Sequence, residues 1–137
     1  MPSEIKVELT QRSPSASEAK LRHHSVLIDR PAAKGGTDAG PMGGEIFLAA
    51  VGGCFMSTLL AAIRAREAEV ANVHIEVTGT LSDTPPRFSI IELNVTAEGR
   101  DRERLDHLVE IAGGGCIMMN TLRSVLELKI TIGPLSR

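Results

Sequence analysis

The chain has 137 residues, with 15 basic and 17 acidic side chains and a formal net charge of −2. It contains three Phe and neither Trp nor Tyr, so its core must be built from aliphatic side chains. Dispersed charge and scarce aromatic rings argue against a nucleic-acid interface, which needs clustered basic residues and stacking partners. The length suits one compact core, and a single domain over residues 1–137 is expected.

The N-terminal part predicts two strands followed by a long loop. Residues 5–9 alternate apolar and polar side chains, as a strand does. Residues 11–17 (QRSPSAS) predict a turn, and residues 21–28 predict a second strand that pairs with the first as a hairpin. The Gly/Pro-rich segment 30–44 is longer than an ordinary connection, and such loops often carry function.

The strongest helical signal runs from Glu45 to about Glu69. Apolar residues cover all sides of it as far as Arg64, which predicts a helix buried nearly all round. A monomer of this size cannot readily enclose such a helix, so we expect an obligate homodimer. We expect no segment apolar and long enough to span a bilayer. The opening residues lack the apolar region of a secretory signal, so a cytoplasmic location without a membrane partner is expected.

The second half predicts an alternation of strands and helices. Strands are expected at residues 73–81, 88–97 and 126–132, with a turn at 82–87 and helices at 101–112 and 116–123. Asp101 is the expected N-cap of the first of these helices, and Gly113–Gly115 are expected to end it. The resulting order, ββ-α-ββ-α-(short α)-β, indicates an α+β fold.

Two cysteines, each preceded by glycine, carry most of the functional signal. Cys54 could be a small buried hydrophobe. If Gly52 and Gly53 break the helix, it would instead stand at the N-terminus of the next segment, where N–H groups favour a thiolate. Cys116 could likewise be buried packing or an accessible thiol that opens a short helix. Without a CxxC motif they make a poor zinc site, and we expect no metal or cofactor.

Glu45 lies nine residues before Cys54 on the same apolar segment. On one straight helix the two side chains would be about 180° apart. Their cooperation would require a kink at the glycine pair, a Glu45 that swings free at the helix start, or an arginine that bridges them. The alternative for Glu45 is an acid of the first turn, which the helix dipole favours.

The segment PMGGEIFLAAVGGCF, the second cysteine in EIAGGGC and the TL that follows it resemble the OsmC/Ohr family. The resemblance implies an intertwined homodimer in which long central helices are enclosed by curved antiparallel sheets. Many members reduce organic hydroperoxides with a peroxidatic Cys, a resolving Cys and an Arg–Glu pair that holds the thiolate. By match, Cys54 is the peroxidatic residue, Cys116 the resolving residue and Glu45 the carboxylate. The arginine should precede the helix in the other subunit, and Arg30 is preferred to Arg22.

Two departures from the family pattern indicate an OsmC-like branch with its own substrate or a weaker activity. Ile117 stands where many relatives have Pro, and Gly43–Gly44 replaces the commoner pair before Glu45. The leading hypothesis is a peroxidase of oxidative stress defence that an external dithiol or thiol regenerates. The alternatives are a non-enzymatic dimer that binds a small apolar or thiol ligand at its interface, and sulfur or acyl handling by a Cys54 nucleophile.

Overall fold

The computed structural model describes residues 3–136 and has two three-stranded sheets with helices, an α+β architecture. By its internal contacts the chain divides into two compact units, one up to Phe47 and the other from Leu48 onward. The expectation of a single domain over the whole chain stays a prediction.

The first unit contains an antiparallel meander of three short strands. These are β1 (Glu8–Gln11), β2 (Ser17–Leu21) and β3 (His24–Ile28), with β2 in the middle. The predicted single strand at 21–28 is wrong, because a turn at Arg22–His23 divides it. Arg22 adopts a left-handed φ of 57° there, and without Gly, Pro or Asn the turn leaves little trace in the sequence. The predicted loop follows β3 and includes one short 3₁₀ turn at Ala32–Lys34.

From residue 43 onward, helices alternate with longer strands. They are α1 (Gly43–Ala65), β4 (Val70–Asp83), β5 (Pro86–Gly99), α2 (Arg102–Gly115), α3 (Ile117–Leu122) and β6 (Glu127–Ile132). β4 and β5 pair antiparallel, but β6 runs parallel to β5. The antiparallel pairing that the family resemblance implies therefore holds for β4 and β5, whereas the pairing of β5 with β6 departs from it. The two helices between β5 and β6 form the crossover that a parallel neighbour requires.

The N-terminal end of α2 lies where the sequence predicts it, but the C-terminal end does not. Asp101 caps the helix as predicted, because its carboxylate accepts a hydrogen bond from the Arg104 N–H at 2.9 Å. The three glycines do not end the helix, which continues through Gly115. Burial of Leu105, Leu108 and Ala112 along one face anchors α2, and tertiary packing of this kind overrides a weak local propensity.

α1 buries one stripe of its surface within the chain. Val51, Phe55, Leu59 and Ile63 recur every four residues, and each is at most 8% exposed. On another face Leu60 is 45% exposed. The prediction of a helix buried nearly all round is therefore wrong for a single chain, and an apolar surface is left uncovered.

α1 also has the length and apolarity of a membrane span. The expectation that no segment of the chain would be long and apolar enough to cross a bilayer is therefore wrong. The helix has 23 residues, and its most apolar 18-residue window has a mean hydropathy of 2.2. The cause is the uncharged run 46–63 between Glu45 and Arg64, which remains apolar despite its small residues. A core helix of a soluble protein passes the same test of length and composition.

Gly52 allows α1 to lie close to β4. A Cβ atom at this position would come within 2.6 Å of Val77 Cγ2, a distance that no packed side chain tolerates. Gly53 has no such neighbour. α1 nevertheless runs unbroken through both glycines, so the break before Cys54 that the sequence left open is absent. The helix accepts the low propensity of Gly52 because the missing side chain permits close packing.

We predict that Gly52→Ala destabilises the protein by about 1–3 kcal/mol, because the added methyl overpacks the contact with Val77. The matched control is Gly114→Ala in α2, where an added Cβ meets nothing within 4 Å. That substitution should be neutral or stabilise by up to about 1 kcal/mol through helix propensity. Urea unfolding of both variants measures the difference, and equal destabilisation would contradict the packing role of Gly52.

Candidate active site

The two cysteines lie side by side in the second unit. Cys54 Sγ and Cys116 Sγ are 3.5 Å apart, and both thiols are free. Cys54 lies in the middle of α1 and is partly exposed to solvent. Cys116 is the single residue between α2 and α3, and it is fully buried. A modest movement would bring the sulfur atoms to the bonding distance of about 2.05 Å.

The end of α2 brings the second thiol to α1. A Cβ on Gly115 would be 3.5 Å from Thr58 Cγ2, an ordinary van der Waals distance, so the backbone beside Cys116 lies against α1 one turn beyond Cys54. Thr58 Oγ1 donates a hydrogen bond to the Cys54 carbonyl at 3.0 Å. Because Cys54 lies in α1 and Cys116 lies buried between two helices, their separation is set by the packed core and not by a loop.

The environments of the two thiols differ. Burial raises the pKa of Cys116 above its usual 9.0, and the neighbouring Cys54 thiol raises it further. The backbone N–H groups of Met118 and Met119 act in the opposite direction, although they make no regular capping hydrogen bond with the sulfur. Burial is the larger effect, so Cys116 holds its proton at neutral pH.

Cys54 does not lie at a helix N-terminus, contrary to the conditional prediction above. It lies well inside α1, whose backbone N–H groups are used within the helix. The position expected for Cys116, at the start of a short helix, is the one that the structure shows, since Cys116 directly precedes α3.

Glu45 lies in the first turn of α1 and is exposed. Its Oε1 accepts a hydrogen bond from the Met42 N–H at 2.8 Å, which is half of a capping box. Within residues 3–136, the ion pairs are Arg12–Glu18, Arg102–Asp106 and Lys129–Glu127, so Glu45 is in none of them. In this one chain Glu45 acts as the first-turn acid that the sequence left open as an alternative.

The two candidate arginines line different cavities of the first unit. A cavity of about 550 Å³ contains Arg30 together with the start of α1; its lining includes Ser15, Ser17, Lys34, Met42, Gly43 and Gly44. Arg22 lines a separate, mostly apolar cavity with Ile5, Val7 and Val26. Of the two arginines, Arg30 is therefore the one placed beside the helix start that carries Glu45.

Asp29, which the sequence analysis overlooked, holds the loop that follows β3. It is 3% exposed, and it accepts hydrogen bonds from the N–H groups of Arg30 at 2.7 Å and of Thr37 and Ala39, each at 3.1 Å. The Thr37 hydroxyl donates at 2.8 Å. These donors keep the pKa of Asp29 far below its ordinary 3.8, the Arg30 N–H contributing most. The sequence contained one signal for this role of Asp29, because a single acidic residue ends the predicted strand directly before the Gly/Pro-rich loop.

The same loop also depends on a glycine. A Cβ on Gly36 would lie 2.0 Å from the Arg30 carbonyl oxygen, so no other residue fits the observed backbone. Together with Asp29, this close approach defines the path of the chain around Arg30. These contacts hold the loop in one defined conformation.

In the part of the chain that the structure describes, no group of three or more His, Cys, Asp or Glu side chains is arranged to hold a metal ion. The rings of His23 and His24 contact one another, with centroids 4.0 Å apart. They are brought together because His23 belongs to the turn and only His24 to β3.

Comparison with known proteins places the fold. A family model described as "OsmC-like protein" matches residues 35–131. An OsmC-like protein from Mycoplasma pneumoniae is 19% identical and superimposes with a TM-score of 0.83 over 100% of both chains. An organic hydroperoxide resistance protein from Elizabethkingia anophelis is 22% identical, with a TM-score of 0.73 over 97% of this chain and 99% of that one. The organic hydroperoxide resistance protein OhrB of Bacillus subtilis is 20% identical, with a TM-score of 0.69 over 94% of this chain and 98% of that one. No curated protein matches the sequence.

The sulfur geometry predicts that mild oxidation with diamide links Cys54 to Cys116 within one chain, because the atoms are already 3.5 Å apart. Peptide mapping by mass spectrometry under non-reducing conditions should recover the linked pair. Cys54→Ser and Cys116→Ser serve as controls and should each prevent the link. Oxidation of the wild-type protein to dimers joined by intermolecular disulfides, with no internal link, would contradict the prediction.

Proposed function

The chain belongs to the OsmC-like protein family, and from this premise we propose that it is a thiol-dependent peroxidase that reduces organic hydroperoxides. The single observation that carries the proposal is the contact between a partly exposed thiol and a buried one, 3.5 Å apart. A peroxidase of this kind needs one thiol that a substrate can reach and a second that can resolve the oxidised first.

The proposed reaction has three steps. The Cys54 thiolate attacks the distal oxygen of ROOH, the O–O bond breaks, and Cys54 becomes a sulfenic acid while the alkoxide leaves and is protonated to ROH. Cys116 then attacks the Cys54 sulfur, the S–O bond breaks, and a disulfide and water form. An external dithiol or thiol finally reduces the disulfide and restores both cysteines.

Arg30 and Glu45 are proposed to support the Cys54 thiolate, with Arg30 supplied by the partner protomer. The family resemblance suggests this pair, and Arg30 is preferred to Arg22 because it borders the long Gly/Pro-rich loop. A guanidinium would stabilise both the thiolate and the developing alkoxide. Glu45 would orient it through a charge-assisted pair.

The surroundings of Cys54 favour an organic substrate over hydrogen peroxide. No charged residue occurs in α1 between Glu45 and Arg64, so the accessible helix surface on either side of the thiol is uncharged. An apolar R group would therefore gain contact area that hydrogen peroxide cannot use.

The proposed active form is a cytoplasmic homodimer. Several large apolar side chains are uncovered in the single chain: Leu60 is 45% exposed, Leu81 65%, Val125 62% and Ile117 68%. A second copy of the chain packed against the uncovered apolar surface of α1 would remove this area from water. A reducing compartment suits a dithiol that must be regenerated between turnovers.

We predict that Cys54→Ser abolishes reduction of cumene hydroperoxide in a dithiol-coupled assay, because the attacking sulfur is lost. Cys116→Ser should still consume about one equivalent of peroxide per site in a single turnover but should fail to form the disulfide. A wild-type protein that forms no sulfenic acid or disulfide with any organic hydroperoxide would overturn the proposal and favour the ligand-binding alternative.

We further predict that Arg30→Gln lowers the rate of peroxide reduction by about 100-fold, since it removes a charged donor aimed at the reacting atoms. Arg22→Gln is the matched control and should leave the rate near that of the wild type. Stopped-flow measurement of Cys54 oxidation separates the two variants. The reverse order of effects would assign the thiolate-supporting role to Arg22.

A further inference from the structure

We propose that Cys116, besides resolving the oxidised Cys54, donates a hydrogen bond from its Sγ–H to the Cys54 thiolate while that thiolate attacks the peroxide. This inference deepens the proposed function and rests on it. It gives Cys116 a part in the first chemical step, before any sulfenic acid exists.

The geometry supports a hydrogen bond between the sulfur atoms. Their separation of 3.5 Å suits a hydrogen bond between sulfur atoms, in which Cys116 is the donor and Cys54 the acceptor. A thiol is a weak donor to a neutral acceptor, but hydrogen bonds to a charged acceptor are about twice as strong as those between neutral groups.

Burial decides which sulfur carries the proton. Cys116 is 0% exposed, whereas Cys54 is partly exposed to solvent. A negative charge on Cys116 would be desolvated, and burial accordingly raises the pKa of this thiol. When the pair holds a single proton, that proton resides on Cys116 and the charge on Cys54.

The other influences on Cys116 leave this assignment in place. Within residues 3–136, Cys54 is the titratable group that acts on the Cys116 proton, and it favours the protonated form. The N–H groups of Met118 and Met119 favour the thiolate, but they are outweighed by burial. These N–H groups would help Cys116 at the later moment when it loses its proton.

The same proton completes the second step. Cys116 attacks the Cys54 sulfenic acid, the S–S bond forms and the S–O bond breaks. The Cys116 proton leaves with the departing hydroxide as water, so no outside acid is needed. The hydrogen-bond donor of the first step is thus the proton source of the second.

Two variants of Cys116 distinguish its role as a hydrogen-bond donor to Cys54 from its role as the resolving thiol. Cys116→Ser keeps a donor but cannot form the disulfide, whereas Cys116→Ala loses both functions. The arginine proposed above acts equally in the two proteins, so their comparison isolates the hydrogen bond. The readouts are the thiolate absorbance at about 240 nm against pH and the rate of alkylation of Cys54 by iodoacetamide, which reports the reactive thiolate.

We expect the Cys54 pKa of Cys116→Ala to lie about one unit above that of Cys116→Ser, with alkylation near neutral pH slower by up to about tenfold. Equal pKa values in the two variants would overturn the inference. Neither readout requires peroxide turnover, so an inactive protein that shows the shift would refute the proposed function and leave the hydrogen bond standing.

The wild-type protein provides a test that does not depend on the folding of a variant. Its thiolate absorbance should rise in two separated steps, and alkylation followed by peptide mapping should assign the first step to Cys54. A first step that belongs to Cys116, or two thiols that titrate together, would overturn the inference. Circular dichroism of both variants checks that each retains its helices.

Discussion

The close approach of α2 to α1 is the constraint on which the candidate site depends. Cys116 reaches Cys54 because the glycine end of α2 lies against α1, where Gly115 leaves room beside Thr58. The surrounding core is mostly aliphatic, although it includes Phe55, and it buries Cys116 while it leaves Cys54 in reach of solvent. Unequal exposure then separates the chemistry of two identical side chains. Burial favours the protonated form of Cys116, whereas Cys54 stays accessible to solvent.

Much of the architecture could be predicted because it is written in local patterns. The long apolar helix, the cap at Asp101 and the order of the later strands all follow from short-range signals. The failures share a cause, since each depends on distant packing. Gly113–Gly115 predict a break and Gly52–Gly53 leave one open, yet both helices continue through their glycines. The turn at Arg22 and the parallel pairing of β6 leave no comparable local trace.

The residues of the candidate site likewise differ in how far the sequence alone could predict them. The cysteine pair could be identified from composition, glycine context and family resemblance, and the structure places the sulfur atoms together. That Glu45 and Arg30 support one thiolate stays a prediction, because the family resemblance implies that a second protomer supplies the arginine. Asp29 was overlooked since its partners Thr37 and Ala39 are eight and ten residues away, beyond the reach of periodicity.

The loop around Asp29 has a consequence for acid conditions. Its donors bind the ionised carboxylate, so the depressed pKa means that this contribution to stability is present above about 3.8 and is lost only as the pH falls towards the folded-state value. Moderate acidification would leave the backbone on either side of Arg30 in its observed shape. Acidification inside a cell would therefore leave this loop folded, because its anchoring carboxylate stays ionised until the pH falls well below the ordinary range of an aspartate.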